Sequence, residues 1–140
     1  MRVSVQSVRS RLTSRRLRLW LPVLLYAAAI FLVSSMHNPP MPEGVSDKSG
    51  HRAAYCGLGL VVLRALAGAE WAGISAGTSL AAVGLTTAFG ASDELHQMFV
   101  SGRSADVHDL VADATGAAAG VTAAWLAATL IRRRKSRIYG

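Results

Sequence analysis

Two long uncharged stretches constrain the fold of this chain more than any other feature. Residues 19–36 form a run of 18 without an acidic or basic side chain, and residues 71–91 form another of 21. A helix of about 20 apolar residues is needed to cross the ~30 Å hydrocarbon core of a bilayer. Both stretches are therefore predicted to be transmembrane helices.

Two further stretches have the same character. Residues 53–69 are apolar except for Arg64, which lies near one end and can extend its guanidinium toward the membrane interface. Residues 110–131 carry a single acid, Asp113, near their start. The sequence therefore predicts an all-α integral membrane bundle of four transmembrane helices, about 19–36, 53–69, 71–91 and 110–131.

Basic residues are concentrated in two tails. Of the 15 Lys and Arg residues, 11 lie in residues 1–18 and 132–140, and neither tail contains an acid. Clustered arginine can bind nucleic acid, but basic flanks next to membrane spans are retained in the cytoplasm. We therefore expect two cytoplasmic tails around a membrane domain of residues 19–131, no nucleic-acid partner, and a multi-pass protein of the plasma membrane.

With four crossings, two hydrophilic connections share the outer side, residues 37–52 and the region around 92–109. The first contains Pro39, Pro40 and Pro42, which are incompatible with a helix interior. Ser46 is predicted to cap a helix that leads into the second span. Lys48, His51 and Tyr55 would then share one face of that helix.

The third span is followed by a cluster of acids. Gly90 and Ser92 are expected to end the span or to cap a short new helix, with Asp93 and Glu94 in its first turn. The sequence "VSGRS", residues 100–104, would then interrupt the helical pattern before the last span. Charged side chains would therefore gather at the outer ends of the helices.

The last helix carries one continuous polar and small-residue stripe. Its members are spaced by three or four residues and comprise Asp106, Asp109, Asp113, Gly116 and Gly120. A carboxylate facing lipid would cost roughly 2.5 kcal/mol or more near mid-membrane, so we expect the stripe to face other helices. The Gly116-x-x-x-Gly120 pair would let a neighbouring backbone approach closely.

These residues resemble a known family. "SDKSGHRAAY" and "DELHQMFVSGRSADVHDLVADATGAAAG", within residues 46–120, are similar to the VanZ-like family of small integral membrane proteins. The family pattern has Asp-Lys-x-x-His, Asp-Glu-x-x-Gln, Gly-Arg and Asp-x-x-x-Asn-x-x-Gly elements. The matching positions are Asp47, Lys48, His51, Asp93, Glu94, Gln97, Gly102, Arg103, Asp109 and Gly116.

The chain departs from that pattern at two positions. Ser101 replaces a common proline, and Asp113 replaces the usual asparagine, which adds an acid at membrane depth. The founding member is associated with low-level resistance to teicoplanin, a glycopeptide that binds cell-wall precursors outside the membrane. The resemblance thus implies a protein of the bacterial cell envelope and a role in antibiotic susceptibility.

The leading functional hypothesis is a polar pocket that opens outward. We expect it to bind the head group of an anionic lipid or cell-wall precursor, with Lys48 and Arg103 holding phosphate. Binding is favoured over turnover. The predicted pocket residues are Asp47, Lys48, His51, Asp93, Glu94, Gln97, Arg103, Asp109 and Asp113.

Several alternatives stay open. A membrane-embedded hydrolase or transferase would use Asp93, Glu94, Asp109 and Asp113 as acids and bases. A structural or partner-binding subunit would use the same charges as an ion-pair clasp, and the glycine-rich faces permit a homo-oligomer. A metal site with ligands drawn from His51, His96 and His108 is the least favoured hypothesis, and no cofactor is expected.

Overall fold

The computed structural model describes residues 5–37, 39–40 and 43–139, and it contains four α-helices and no strand within them. Pro42 and the first four residues of the basic tail lie outside the described residues. The helices are α1 (Val5–Ser34), α2 (Asp47–Leu66), α3 (Ala76–Gln97) and α4 (Val107–Tyr139). Both basic tails continue the adjoining helix within these bounds.

Contacts between the connections show how the helices alternate. At one end, Arg15 of α1 pairs with Glu70 at 3.2 Å, and Arg132 of α4 donates to the carbonyl oxygen of Ile74 at 2.7 Å. At the other end, Lys48 contacts Asp106. The basic segments of α1 and α4 around Arg15 and Arg132 therefore lie at the end of the α2–α3 hairpin. The two hydrophilic connections meet at the opposite end, as expected from the sequence.

Hydroxyl side chains define the starts of α2 and α3. The side chain of Ser46 accepts from the backbone N–H of Ser49, which confirms the predicted cap of α2. Ser75 and Thr78 form a reciprocal capping box, so α3 begins at Ala76. The prediction of a helix from residue 71 is therefore corrected: Trp71–Gly73 form a 3₁₀ turn.

The expectation that Gly90 or Ser92 ends this helix is wrong. The helix continues to Gln97, and Ser92 Oγ donates to the carbonyl oxygen of Phe89 within it. Gly90 serves close packing, because a Cβ there would lie 2.8 Å from Asp113 Oδ2. Glycine in a helix costs only about 1 kcal/mol relative to alanine. Asp93 and Glu94 thus lie on the last turns of α3.

The tightest helix pair is α2 with α4, and glycines allow it. A Cβ built at Gly116 would overlap the carbonyl oxygen of Arg52, and one at Gly120 would lie 2.7 Å from Cys56 Sγ. From the other side, a Cβ at Gly59 would lie 3.2 Å from the Cα of Ala117. Gly116 and Gly120 thus lie where the backbones of α2 and α4 approach each other closely.

The outer surface of the bundle is apolar. Two helical segments are long and apolar enough to cross a membrane, Thr13–Ser34 and Val107–Ile138. Large hydrophobic side chains are exposed on all four helices and include Leu24, Leu32, Leu60, Leu80, Leu85, Leu126 and Leu130. Monomeric soluble proteins rarely expose large apolar patches, so these side chains and the two long apolar segments together indicate a membrane protein.

The α2–α4 contact predicts a specific response to a single methyl group. Gly116→Ala forces Cβ into the Arg52 carbonyl and should destabilise the fold by about 1–3 kcal/mol. Gly84→Ala is the control, since no atom lies within 4 Å of a Cβ at that position. Thermal unfolding in mild detergent should show a lower Tm for Gly116→Ala alone, and an equal Tm for both variants would contradict the packing.

Candidate functional site

A lysine joins the two hydrophilic connections. Lys48, in the first turn of α2, donates from Nζ to Asp106 Oδ2 and to Asp109 Oδ1, each at 3.1 Å. Asp109 lies buried on α4, whereas Asp106 is partly exposed just before it. The contact with Lys48 is what makes the burial of this charged carboxylate tolerable.

One turn deeper, a histidine and an aspartate form a second link between α2 and α4. His51 Nδ1 lies 2.8 Å from Asp113 Oδ1, and the Asp113 side chain is fully buried. Asp113 Oδ2 has no hydrogen-bond partner in the described part of the chain. The Asp113 carboxylate therefore faces the bundle interior, as the stripe on the last helix predicts.

Asp93 ties α3 to α1 and α2. Its Oδ1 accepts from Ser34 Oγ at 2.6 Å, and its Oδ2 accepts from the Tyr55 hydroxyl at 3.4 Å. Ser34 is not among the site residues predicted from the sequence. The available signal was the pair of serines at the end of an otherwise apolar span.

The end of α3 organises the turn before α4. Glu94 Oε2 accepts from the backbone N–H of Asp106 at 2.9 Å. Gln97 Nε2 donates to Glu94 at 3.4 Å, while Gln97 Oε1 accepts from Arg103 Nη2 at 2.7 Å. No carboxylate of the described residues pairs with Arg103. Its guanidinium thus keeps most of its donors available.

The predicted pocket residues fall into two groups. A cavity of about 290 Å³ lies between α1, α2 and the end of α3, and its polar lining comprises Ser34, Asp47, His51, Tyr55, Asp93 and Arg103. Its apolar lining comes mainly from α1. The remaining predicted residues form a hydrogen-bonded cluster beside the cavity and comprise Lys48, Glu94, Gln97, Asp109 and Asp113.

The cavity, the cluster and the adjoining Asp106 contain more acidic residues than permanent cations. Six of the eight acids of the chain lie there, Asp47, Asp93, Glu94, Asp106, Asp109 and Asp113, against the permanent cations Lys48 and Arg103. At the water-facing edge, hydrogen bonds to Asp106 and Asp109 raise the pKa of Lys48. Hydrogen bonds from His108 and Lys48 lower the pKa of Asp106. Both groups are therefore held in their charged forms.

Two sets of side chains have the spacing of metal ligands. Potential ligand atoms of His51, Glu94 and Asp113 lie within 4.8 Å of one another, as do those of Asp47, His51 and Asp109. The other two histidines considered from the sequence do not join His51. His96 Nε2 lies 3.0 Å from Ser35 Oγ, and His108 contacts Asp106 on the surface.

A comparison with known protein families shows which family the chain belongs to. The VanZ/LLP1 family profile matches residues 50–129, which is more than half of the sequence. The chain belongs to the VanZ/LLP1 family. No curated protein and no solved structure matches the chain significantly.

The VanZ/LLP1 match covers most of the site. It includes His51, the acids of α3, Arg103 and the carboxylates of α4, whereas Asp47 and Lys48 lie just before it. The first helix, which provides most of the apolar wall of the cavity, is also outside the match. The family assignment thus rests on α2, α3 and α4, which form the polar cluster.

Asp106 gives the protein a testable dependence on acid. Because its folded-state pKa is lowered, its stabilisation is complete above the ordinary aspartate pKa of about 3.9 and is lost as the pH falls through the folded-state value. Tm should therefore fall on acidification below about pH 4. Asp106→Asn should lower Tm at neutral pH and flatten this decline, unlike Glu43→Gln in the other connection. If Tm falls equally with decreasing pH in both variants, the assignment of this acid dependence to Asp106 is contradicted.

Proposed function

We propose that this VanZ/LLP1 protein crosses the bacterial plasma membrane four times, with both termini in the cytoplasm. The helices α2 and α3 are about 30 and 33 Å long at ~1.5 Å per residue, so each extends from the α2–α3 hairpin to the polar connections over a length comparable to the ~30 Å hydrocarbon core. Exposed leucines on both helices support a lipid environment. The polar residues at the outer ends of α2 and α3 lower the mean hydropathy of these two helices, which explains why α1 and α4 are the more apolar pair.

The distribution of basic residues supports this orientation. Arg15 and Arg132 both contact the α2–α3 hairpin, so the two basic tails and this hairpin share one end of the bundle. Trp71 is exposed at the same end, in keeping with the preference of tryptophan for the membrane interface. Lys and Arg in short flanks are retained on the cytoplasmic side. The polar site then faces outward.

Cysteine labelling tests the topology. In a Cys56→Ala background, Glu43→Cys and Ser104→Cys should react in intact cells with a maleimide that does not cross membranes, because both connections are outside. Ala72→Cys, in the exposed 3₁₀ turn, should react only after the cells are opened. Labelling of positions 43 and 104 from opposite sides would contradict the four-span arrangement.

We further propose that the cavity binds an amphiphile with a phosphate-containing head group, a membrane lipid or a lipid-linked cell-wall precursor. The observation that carries this proposal is Arg103. It lines the cavity, and its described side-chain partner is the neutral amide of Gln97. A guanidinium in this state can donate to phosphate oxygens.

The other walls suit the apolar part of such a ligand. Tyr26, Ala29, Ile30 and Val33 of α1 line the cavity opposite the polar end of α3. Lys48 was expected to bind phosphate together with Arg103, but its ammonium group already contacts two carboxylates. The head group is therefore assigned to Arg103, and the acyl or prenyl chain to the α1 wall.

Native mass spectrometry of protein extracted in mild detergent tests this assignment. Wild-type protein should retain a phosphate-containing lipid, and Arg103→Gln should weaken its binding by about ten-fold or more, the value of one charge-assisted contact. Arg52→Gln is the matched control, because Arg52 is exposed and does not line the cavity. Equal lipid retention by both variants would reject the head-group site.

A binding role suggests how the protein would affect the cell envelope. If the ligand is a lipid-linked cell-wall precursor, occupancy of the outward cavity would change the amount of precursor available to glycopeptides such as teicoplanin. Expression of the wild-type protein, but not of Arg103→Gln, should then shift teicoplanin susceptibility. A shift that is equal for both would separate any resistance effect from the cavity.

One observation favours hydrolysis or group transfer as the second candidate function. His51 lines the cavity and is hydrogen-bonded to the buried carboxylate of Asp113, an arrangement that can orient an imidazole as a general base. Turnover of a lipid-linked diphosphate by purified protein, lost in His51→Gln and kept in His108→Gln, would support this candidate over simple binding.

A further inference from the structure

Three ligand-type side chains converge from three different helices. His51 comes from α2, Glu94 from α3 and Asp113 from α4, and one potential ligand atom of each lies within 4.8 Å of the other two. Glu94 and Asp113 are buried, and the His51 side chain is only 11% exposed. Donors from three rigid helices form a more fixed set than donors from a surface loop.

One atom in this set is left without a partner. Asp113 is fully buried, and while Oδ1 contacts His51, Oδ2 has no hydrogen-bond partner among the described residues. Buried carboxylate oxygens are normally paired. Oδ2 points toward α3 at Gly90, which lies one helical turn before Glu94 on the same face. The unpartnered oxygen is therefore directed toward the helix face that supplies the third ligand.

The charge of the surrounding groups also calls for a cation. Lys48 is engaged by Asp106 and Asp109, and Arg103 by Gln97, so neither contacts Glu94 or Asp113. Two carboxylates that share a low-dielectric site repel each other unless a proton or a metal ion lies between them. A bound divalent ion would remove this repulsion and satisfy Asp113 Oδ2.

We propose that His51, Glu94 and Asp113 bind one divalent transition-metal ion of the zinc or manganese class. An imidazole nitrogen combined with two carboxylate oxygens suits such ions better than Ca²⁺, which prefers a shell of oxygens. The alternative set of Asp47, His51 and Asp109 uses the same imidazole, but Asp47 is exposed and Asp109 is already paired with the cation Lys48. The hydrogen-bond donors to Glu94 are neutral groups, so its charge is not balanced. The buried set is therefore the metal site.

The ion would also complete the proposed ligand site. Since His51 lines the cavity, a metal bound to it would lie at the cavity wall and supply positive charge next to Arg103. This step rests on the proposed function, whereas the binding of the ion itself does not. A phosphate head group could then enter a region in which carboxylates outnumber permanent cations.

The direct test measures Zn²⁺ binding to the full chain in detergent, without added lipid. Isothermal titration after removal of bound metal should give one site per chain, with affinity lowered at least about ten-fold in His51→Gln, Glu94→Gln and Asp113→Asn. His108→Gln is the matched control, because this exposed histidine is outside the set. Absence of a Zn²⁺ site in wild-type protein, or its loss only in His108→Gln, would overturn the proposal.

A measurement on the wild-type chain covers the case in which a variant does not fold. Co²⁺ bound at the site should give visible absorption bands of nitrogen and oxygen coordination, displaced by Zn²⁺ and not by equal Ca²⁺; no displaceable bands would overturn the proposal. Native mass spectrometry with chelator separates the two hypotheses. Lipid retained by protein that binds no metal would refute this inference alone, and metal bound by protein that retains no lipid would refute the proposed function alone.

Discussion

The close contact between α2 and α4 is the interaction on which the rest of this structure depends. Gly116 and Gly120 let the α4 backbone approach Arg52 and Cys56 of α2. The same register brings His51 to Asp113 about one turn further out along α4, and Lys48 to Asp109 about two turns further out. Around Gly116 and Gly120, small residues thus allow the two helices to pack closely. Toward the outer end, the paired charged side chains fill the space between the same two helices.

Much of this arrangement follows from the sequence. The 3-4-3-4 spacing of the α4 stripe fixes which side chains share a face, and the cost of exposing Asp113 to lipid requires that face to point inward. The spacing of Lys48, His51 and Tyr55 does the same for α2. Because successive helices run in opposite directions, the two hydrophilic connections lie at the same end of the bundle, which the Lys48–Asp106 contact bears out. The VanZ-like resemblance came from the same residues and agrees with the family match.

What the sequence could not supply depends on contacts between helices. Gly90 was interpreted as the end of a helix, because a glycine followed by Ser and Asp is typical of a terminus; its packing against Asp113 becomes visible only when α3 and α4 are placed side by side. Ser34 could not be linked to Asp93 from opposite parts of the chain. The separation of the polar residues into a cavity lining and a cluster beside it likewise depends on the position of α1. No local pattern in the sequence specifies that position.

The register of α2 against α4 can be measured directly, because the chain contains one cysteine at the interface. A Cβ built at Gly120 lies 2.7 Å from Cys56 Sγ, so a cysteine at position 120 would place its sulfur next to that of Cys56. In membranes treated with a mild oxidant, Gly120→Cys should lose both free thiols within one chain, whereas Ala119→Cys and Thr122→Cys, on the exposed side of α4, should keep them. Disulfide formation at position 119 or 122 and not at position 120 would contradict the helix pairing that builds the site.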